Sequence, residues 1–167
     1  KVNNYFASEI DPYAIEIAKK NYPDTKHIGS ILDVKGSDLP RIDLLIGGSP
    51  CQSFSNAGDG SGMDGKSKLF WEFVRVLKET KPIYFLLENV KMKKEWEKII
   101  TDTLGVQPIA INSRLMTAQN RPRLYWTNIP IDNIPNRPNW NKQYYQWRRV
   151  YFRENKSGVC PTLTANM

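Results

Sequence analysis

The segment of residues 42–55, IDLLIGGSPCQSFS, constrains the fold of this chain more than any other. Its first five residues carry four apolar side chains, which favours a strand buried on both faces. Two glycines then permit backbone conformations closed to other residues, and Pro50 fixes its own φ and keeps Ser49 extended. Cys51 is therefore predicted to lie on a shaped loop past the carboxyl end of a central strand, where open α/β sheets bind ligands.

Two further segments place polar side chains near the same edge. Residues 85–90 form a second buried-strand pattern, and Glu88 lies near its end. Arg121 and Arg123 are two residues apart, a spacing that directs both side chains to the same side of an extended chain. A lone cysteine is more often a buried, unreactive side chain. A thiol, a carboxylate and arginines from separate loops are instead typical of an active site.

These segments resemble the catalytic motifs of the DNA cytosine-5 methyltransferases, in the order that this family shows. The resemblance is carried by Pro50-Cys51-Gln52, Glu88-Asn89-Val90 and Gln119-x-Arg121-x-Arg123. It extends to residues 5–11, 67–77 and 160–167, and so covers nearly the whole chain. It implies a class I S-adenosylmethionine-dependent methyltransferase fold, which is Rossmann-like, doubly wound and mostly parallel.

The periodicity independently predicts an α/β fold. Helical patterns at residues 12–20, 69–81 and 93–104 alternate with strand patterns at residues 4–10, 42–46, 83–87, 108–113 and 124–127. Such alternation favours a parallel, doubly wound sheet. Compared with the family, the chain looks clipped at both ends and is expected to lack the first strand and its glycine-rich loop. It is therefore interpreted as a truncated fragment of the enzyme, weakly active or inactive. The strands beginning near Tyr5 and Ile42 would then either pair directly or leave a gap.

The resemblance implies a catalytic role for five residues. Cys51 is the expected nucleophile, which adds to carbon 6 of cytosine and thereby activates carbon 5. Glu88 would hold N3 and the exocyclic amine and supply a proton at N3. Arg123 would bind O2, and Arg121 and Gln119 would support its loop.

The resemblance also implies S-adenosylmethionine as cofactor. Glu9 is expected to bind the ribose hydroxyls, as an acidic residue ending the second strand does in dinucleotide-type folds. The family usually has an aspartate for adenine where this chain has Ser30, so backbone groups of Ser30 and Ile31 are expected to serve instead. The remaining expected cofactor-binding residues are Ile10, Ser49, Pro50 and Leu69.

The net charge of +7 is concentrated in one part of the chain. Residues 114–156 hold nine basic and two acidic side chains together with eight aromatic ones. Basic side chains among aromatics suit phosphate neutralisation and base stacking, so double-stranded DNA is the expected partner. Residues 1–130 are interpreted as a partial catalytic domain, and residues 131–167 as a linker and the start of a target-recognition region.

The cysteines and the hydropathy of the chain bear on its expected cellular location. The two cysteines, at positions 51 and 160, favour neither a metal site nor a disulfide framework, and no segment suits a membrane span or a signal peptide. A bacterial cytoplasm or a phage-infected cell is the expected location. Self-association through exposed strand edges is expected of a clipped sheet.

Two alternative functions stay open. An RNA branch shares these motifs, so the same chemistry on tRNA is one alternative. The other is a catalytically inactive fragment that only binds nucleic acid. A zinc deaminase is disfavoured, because such an enzyme needs His and Cys ligands and His27 is the only histidine.

Overall fold

The computed structural model of the chain describes residues 2–49, 69–115 and 119–131, together with the backbone of one short strand at residues 160–161. The predictions for Pro50 and Cys51, and those for the aromatic-rich segment after residue 131, lie outside the described residues. The elements in chain order are β1 (Phe6–Ala7), α1 (Pro12–Asn21), β2 (Lys26–His27), β3 (Leu44–Gly48), α2 (Leu69–Thr80), β4 (Tyr84–Asn89), α3 (Lys94–Leu104), β5 (Ile109–Asn112), β6 (Gln119–Asn120), β7 (Pro122–Thr127) and β8 (Cys160–Pro161).

The largest sheet of the described residues has four strands in the order β3-β4-β7-β5. Strands β3 and β4 are parallel, as predicted, whereas β7 is antiparallel to both β4 and β5. The reason is the connection, because only residues 113–121 lie between β5 and β7, too few for the crossover that parallel strands need. Two parallel pairs, β1–β2 and β6–β8, lie outside this sheet.

The three helices begin and end close to their predicted bounds, because their termini carry local signals. The Asp11 side chain accepts a hydrogen bond from the Tyr13 N–H at 2.8 Å and caps α1, with Pro12 as its first residue. Helix α2 ends before Lys81, whose φ is +43°. Helix α3 ends at Gly105, which has a φ of +71°. No helix among the described residues is long and apolar enough to cross a membrane.

Helices α2 and α3 pack on the same face of the four-stranded sheet. Side chains of β4 and β7 on that face, including Leu87 and Trp126, form the buried core with both helices. The buried cluster consists of Phe70, Phe73, Val74, Phe85, Leu87, Met92, Ile100, Leu124 and Trp126. The Trp126 indole N–H donates to the Thr101 hydroxyl of α3 at 3.0 Å, so the one polar atom of this ring is satisfied.

The prediction that residues 42–46 form a strand buried on both faces is wrong. Leu45 packs against the core, but Leu44 and Ile46 on the other face of β3 are 44% and 60% exposed. Both core helices cover the opposite face, and β3 pairs only with β4 among the described strands. Strand β1 pairs with β2 and not with β3. Of the two expected arrangements, direct pairing of these strands or a gap between them, the structure therefore shows the gap.

Candidate active site

An ion pair joins β4 to β7 near the end of β4. Tyr125 lies opposite Glu88 in the antiparallel register, and Arg123 is two residues earlier on the same face of β7. Glu88 Oε1 lies 2.7 Å from Arg123 Nε, and the two side chains are 32% and 18% exposed. A second guanidinium nitrogen of Arg123 donates to the Pro122 carbonyl at 2.8 Å. The carboxylate and the guanidinium therefore hold each other in a defined geometry at a site that solvent still reaches.

A buried amide links the ends of β3 and β4. Asn89 is 1% exposed, and its Nδ2 donates to the Ser49 hydroxyl at 2.9 Å. Its Oδ1 accepts from the Val90 N–H at 2.8 Å, so both ends of the amide are used. This contact therefore holds Ser49, the last described residue before Pro50 and Cys51 in the sequence. Asn89 belongs to one of the motifs singled out from the sequence, but no role was predicted for it.

The two glycines of β3 serve different purposes. A Cβ at Gly47 would lie 2.5 Å from Cδ2 of Phe73, so only a glycine lets α2 pack this closely on the strand. Gly48 lies beside Glu88 in the parallel register, and a Cβ there would be 3.4 Å from Glu88 Oε2. The backbone of β3 thus forms one wall beside the carboxylate.

The segment with the predicted arginines is held by an asparagine that sequence reasoning missed. Asn112 Oδ1 accepts hydrogen bonds from the backbone N–H of Arg121 at 3.0 Å and of Arg114 at 3.1 Å. Gln119 lies on β6, where it pairs in register with Cys160. The structure therefore places Arg123 on Glu88, while it anchors Arg121 through its backbone. Asparagine next to a turn of this kind is a recognisable signal, because its side chain readily bonds nearby backbone.

Four of the expected cofactor residues, Glu9, Ile10, Ser30 and Ile31, follow the ends of β1 and β2. The exposed Glu9 carboxylate accepts from the N–H groups of Ile10 at 2.7 Å and Asp11 at 2.9 Å through Oε1. The Ser8 hydroxyl donates to the Gly29 carbonyl at 2.8 Å, which ties this strand end to the turn that follows β2. A carboxylate oriented by its own backbone still has acceptor capacity for a diol, so this end of the site fits a ribose.

The turn after β2 lies against α2. The Ser30 hydroxyl accepts from the Leu32 N–H at 3.2 Å, and both Ser30 and Ile31 are half-buried. The Ile31 carbonyl accepts from Arg75 at 2.8 Å, and Leu69, the first residue of the same helix, is half-buried too. Helix α2 thus connects the expected adenine side of the site with the residues that follow the cysteine-bearing segment. The described residues contain no group of three His, Cys, Asp or Glu that could hold a metal ion.

A family comparison decides what this arrangement belongs to. The model of the C-5 cytosine-specific DNA methylase family matches residues 1–155. The chain belongs to this family. Its fold agrees, because a crystal structure of a protein described as a DNA modification methyltransferase, encoded within an E. coli prophage, superposes with a TM-score of 0.60. That match is 25% identical and covers 74% of this chain and 39% of the other.

Bacterial and phage members of the family are similar in sequence. Type II methyltransferase M1.ScrFI of Lactococcus lactis subsp. cremoris is 39% identical over 148 residues, which cover 81% of this chain and 38% of the relative. The orphan methyltransferase M.SPRI of Bacillus phage SPR is 39% identical over 77% of this chain and 33% of its own length. The chain thus spans about a third of the length of these two members.

A shorter relative aligns with almost the whole chain. Type II methyltransferase M.Bsp6I of Bacillus sp. (strain RFL6) is 30% identical over 221 aligned positions, covering 97% of this chain and 70% of the relative. Since the alignment has more positions than this chain has residues, M.Bsp6I carries additional residues within the matched region.

Proposed function

We propose that this chain is the catalytic part of an enzyme that transfers a methyl group to carbon 5 of a flipped cytosine in DNA. The observation that carries the proposal is the Glu88–Arg123 ion pair beside Gly48, one residue before the segment Ser49-Pro50-Cys51 begins. Family membership supports the same chemistry. The target base has to leave the helix stack to reach such a site.

The residues would act in sequence on the cytosine ring. The Cys51 thiolate forms a bond to carbon 6, the electron pair of the 5,6 double bond shifts into a 4,5 double bond, and the pair of the former 3,4 double bond moves onto N3. Glu88 donates a proton at N3, while Arg123 stabilises the charge that develops on O2. S-adenosylmethionine, when bound, supplies an electrophilic methyl group for carbon 5. The N3 proton then returns to Glu88, water takes the carbon 5 proton, and the electron pair of that C–H bond restores the 5,6 double bond and expels Cys51 as thiolate.

The ion pair gives the two carboxylate oxygens of Glu88 different roles. Oε1 of Glu88 is held by Arg123 at 2.7 Å, so Arg123 fixes the plane of the carboxyl group. Oε2 lies toward Gly48, where a Cβ would be 3.4 Å away, so the glycine itself places no side chain beside this oxygen. We assign Oε2 to N3 and the exocyclic amine. Gln119 and Arg121 support this arrangement through the segment that leads into β7.

The cofactor would lie along the ends of β1, β2 and β3. Glu9 accepts hydrogen bonds from the ribose hydroxyls, and Ile10 gives an exposed apolar surface beside the adenine. Backbone groups of Ser30 and Ile31 bind the adenine edge. The other proposed contacts come from the start of α2 and the end of β3, at Leu69, Ser49 and Pro50.

The central test is methyl transfer from labelled S-adenosylmethionine to cytosine-containing DNA and to tRNA. Because the chain spans about a third of the length of M1.ScrFI and M.SPRI, its labelling of DNA is expected to be weak. Cys51→Ser is expected to abolish that labelling while leaving DNA affinity nearly unchanged. Cys160→Ser is the matched control, because it changes the only other cysteine. Labelling of tRNA alone would favour the RNA enzyme, and nucleic-acid binding without labelling by the wild type would favour an inactive binding fragment.

Double-stranded DNA is proposed to bind along the basic segment of residues 114–156. Replacing Arg148 and Arg149 together by alanine is expected to flatten the dependence of the logarithm of the binding constant on the logarithm of the salt concentration. The slope should fall by about one unit for each phosphate that is no longer neutralised. The control replaces Lys19 and Lys20 of α1 by alanine, because these two lysines lie outside that segment. An unchanged slope in the arginine variant would contradict this docking face.

Self-association is proposed to run through β3. Its free edge presents backbone N–H and C=O groups, because β3 pairs on one side only among the described strands, and Ile46 adds an exposed apolar side chain. Sedimentation should show a concentration-dependent oligomer that Ile46→Lys disrupts. Ile17→Lys on α1 is the matched control, since Ile17 is similarly exposed at 62%. A wild-type monomer at all concentrations would contradict the proposal.

A further inference from the structure

The guanidinium of Arg75 connects α2 to the segment that follows β2. Its two terminal nitrogens donate to the backbone carbonyls of Ile31 and Val34, both at 2.8 Å. Its Nε lies 2.8 Å from Glu72 on the preceding turn of α2, and Glu79 on the following turn lies 3.1 Å away. Only arginine has a planar fork that reaches two carbonyls and two carboxylates at once.

Glu79 adds a third attachment point to the same segment. Its Oε2 accepts the backbone N–H of Gly36 at 2.7 Å. The contact is close, because a Cβ at Gly36 would lie 2.5 Å from the Cβ of Glu79. Val34 between these points is buried, so its backbone is held from the helix side as well as by its side chain. The segment is thus fixed to α2 at two carbonyls and one N–H.

The other end of the segment is fixed to β1. The Gly29 carbonyl accepts from the Ser8 hydroxyl at 2.8 Å, directly before Glu9. Residues 29–36 are therefore held between the strand end that carries Glu9 and the middle of α2. Ser30 and Ile31, whose backbone groups are proposed to meet adenine, lie within this span. The position of those groups relative to Glu9 depends on both attachments.

We propose that Arg75, supported by Glu79, is a positioning residue for the adenosine end of the cofactor site. The inference rests on the proposed function, because that function assigns backbone groups of Ser30 and Ile31 to adenine. Arg75 itself does not meet the cofactor. It fixes the Ile31 carbonyl, and the peptide groups on either side of that carbonyl take their direction from it.

The test measures binding of S-adenosylmethionine and of S-adenosylhomocysteine by titration calorimetry. Arg75→Ala is expected to weaken both affinities about tenfold, which corresponds to about 1.4 kcal/mol. Arg75→Lys should recover little of the loss, since an ammonium cannot reach both carbonyls. Arg41→Ala is the matched control, because the Arg41–Asp43 ion pair is exposed and lies at 3.5 Å.

Two additional readouts separate positioning from a general folding defect. In Arg75→Ala the KM for the cofactor should rise while kcat at saturating cofactor stays near the wild-type value. Amide hydrogen exchange should accelerate within residues 30–36 and stay unchanged in β4. If Arg75→Ala does not fold, Glu79→Gln is the second variant, because it neutralises one partner of Arg75 and keeps the shape of the glutamate side chain. It should show a smaller rise in the KM for the cofactor, again with kcat near the wild-type value.

The outcomes distinguish this inference from the proposed function. Wild-type affinity in Arg75→Ala would overturn the positioning role alone. An equal fall in kcat, in DNA affinity and in β4 protection would also overturn it, since that pattern indicates a folding effect. A wild-type chain that binds neither cofactor compound at millimolar concentration would overturn the proposed function, and the assignment of Arg75 with it.

Discussion

Glu88 Oε1 and Arg123 Nε lie 2.7 Å apart across the antiparallel ladder of β4 and β7. The two residues are 35 positions apart in the sequence, and the return of β7 alongside β4 brings them together. Because both side chains are partly exposed, the pair adds little to stability and is better explained by the site it shapes. A carboxylate and a guanidinium are thereby held 2.7 Å apart at the end of β4.

Replacing Glu88 should separate activity from stability. Glu88→Gln is expected to reduce methyl transfer at least about a hundredfold, the usual contribution of a general acid. Its free energy of unfolding should stay within about 1 kcal/mol of the wild type, because an ion pair that solvent reaches contributes little. Asp102→Asn, which removes the exposed Lys98–Asp102 pair on α3, serves as control in both assays. Full activity in Glu88→Gln would contradict the role assigned to the carboxyl group.

Asn89 should matter for stability far more than an exposed asparagine. Asn89→Ala leaves the Ser49 hydroxyl and the Val90 N–H without their partner, so urea unfolding should show a loss of about 1–3 kcal/mol. Asn21→Ala, which removes an exposed side-chain hydrogen bond within α1, should cost less than about 0.5 kcal/mol. Equal losses in the two variants would show that the β3–β4 link has no special weight.

Replacing each of the two glycines of β3 by alanine should change the stability of the chain by different amounts. Gly47→Ala forces a Cβ to within 2.5 Å of the Phe73 ring and should destabilise the chain by about 1–3 kcal/mol. In Gly48→Ala the nearest contact is Glu88 Oε2 at 3.4 Å, so stability should change by less than about 0.5 kcal/mol. Thermal and urea unfolding of both variants would check this, and a larger loss at Gly48 would contradict the packing described for α2.

Glu79 should make stability depend on pH in the acidic range. The Gly36 N–H and then Arg75 lower the pKa of Glu79. A lowered folded-state pKa adds stability above the unfolded-state value, which is lost as pH falls through the folded-state value. The melting temperature of Glu79→Gln should therefore lie below that of the wild type at pH 7, and the two should converge on acidification. Glu16→Gln on α1 is the control. A constant difference down to the acid transition would contradict the role of the charge.

The secondary structure was largely predictable because its signals are local. Asp11 and Pro12 mark the start of α1, and Gly105 marks the end of α3, each within a few residues of sequence. The exposure of Leu44 and Ile46 was not predictable in this way, because burial depends on which elements cover the second face of β3. The direction of β7 was likewise set by the length of a connection and not by its own apolar pattern.

The candidate site was predictable in its charged residues and not in its supports. Glu88 and Arg123 were singled out from the sequence, and the structure brings them together, while their catalytic roles stay predictions. Asn89 and Arg75 act on backbone atoms and hydroxyls 40 or more positions away, which no local pattern reveals. The spacing of Glu72, Arg75 and Glu79 on one helix was a visible signal that the arginine is held in place.

Mechanism-based trapping tests the central claim most directly. A DNA duplex with 5-fluorocytosine at target positions blocks the final proton loss, so an active enzyme with S-adenosylmethionine stays bonded to the base. We expect a covalent complex that withstands denaturation and maps to Cys51 by peptide mass. Cys160→Ser should form it and Cys51→Ser should not. Absence of the adduct in the wild type, or its formation in Cys51→Ser, would contradict covalent catalysis by this chain.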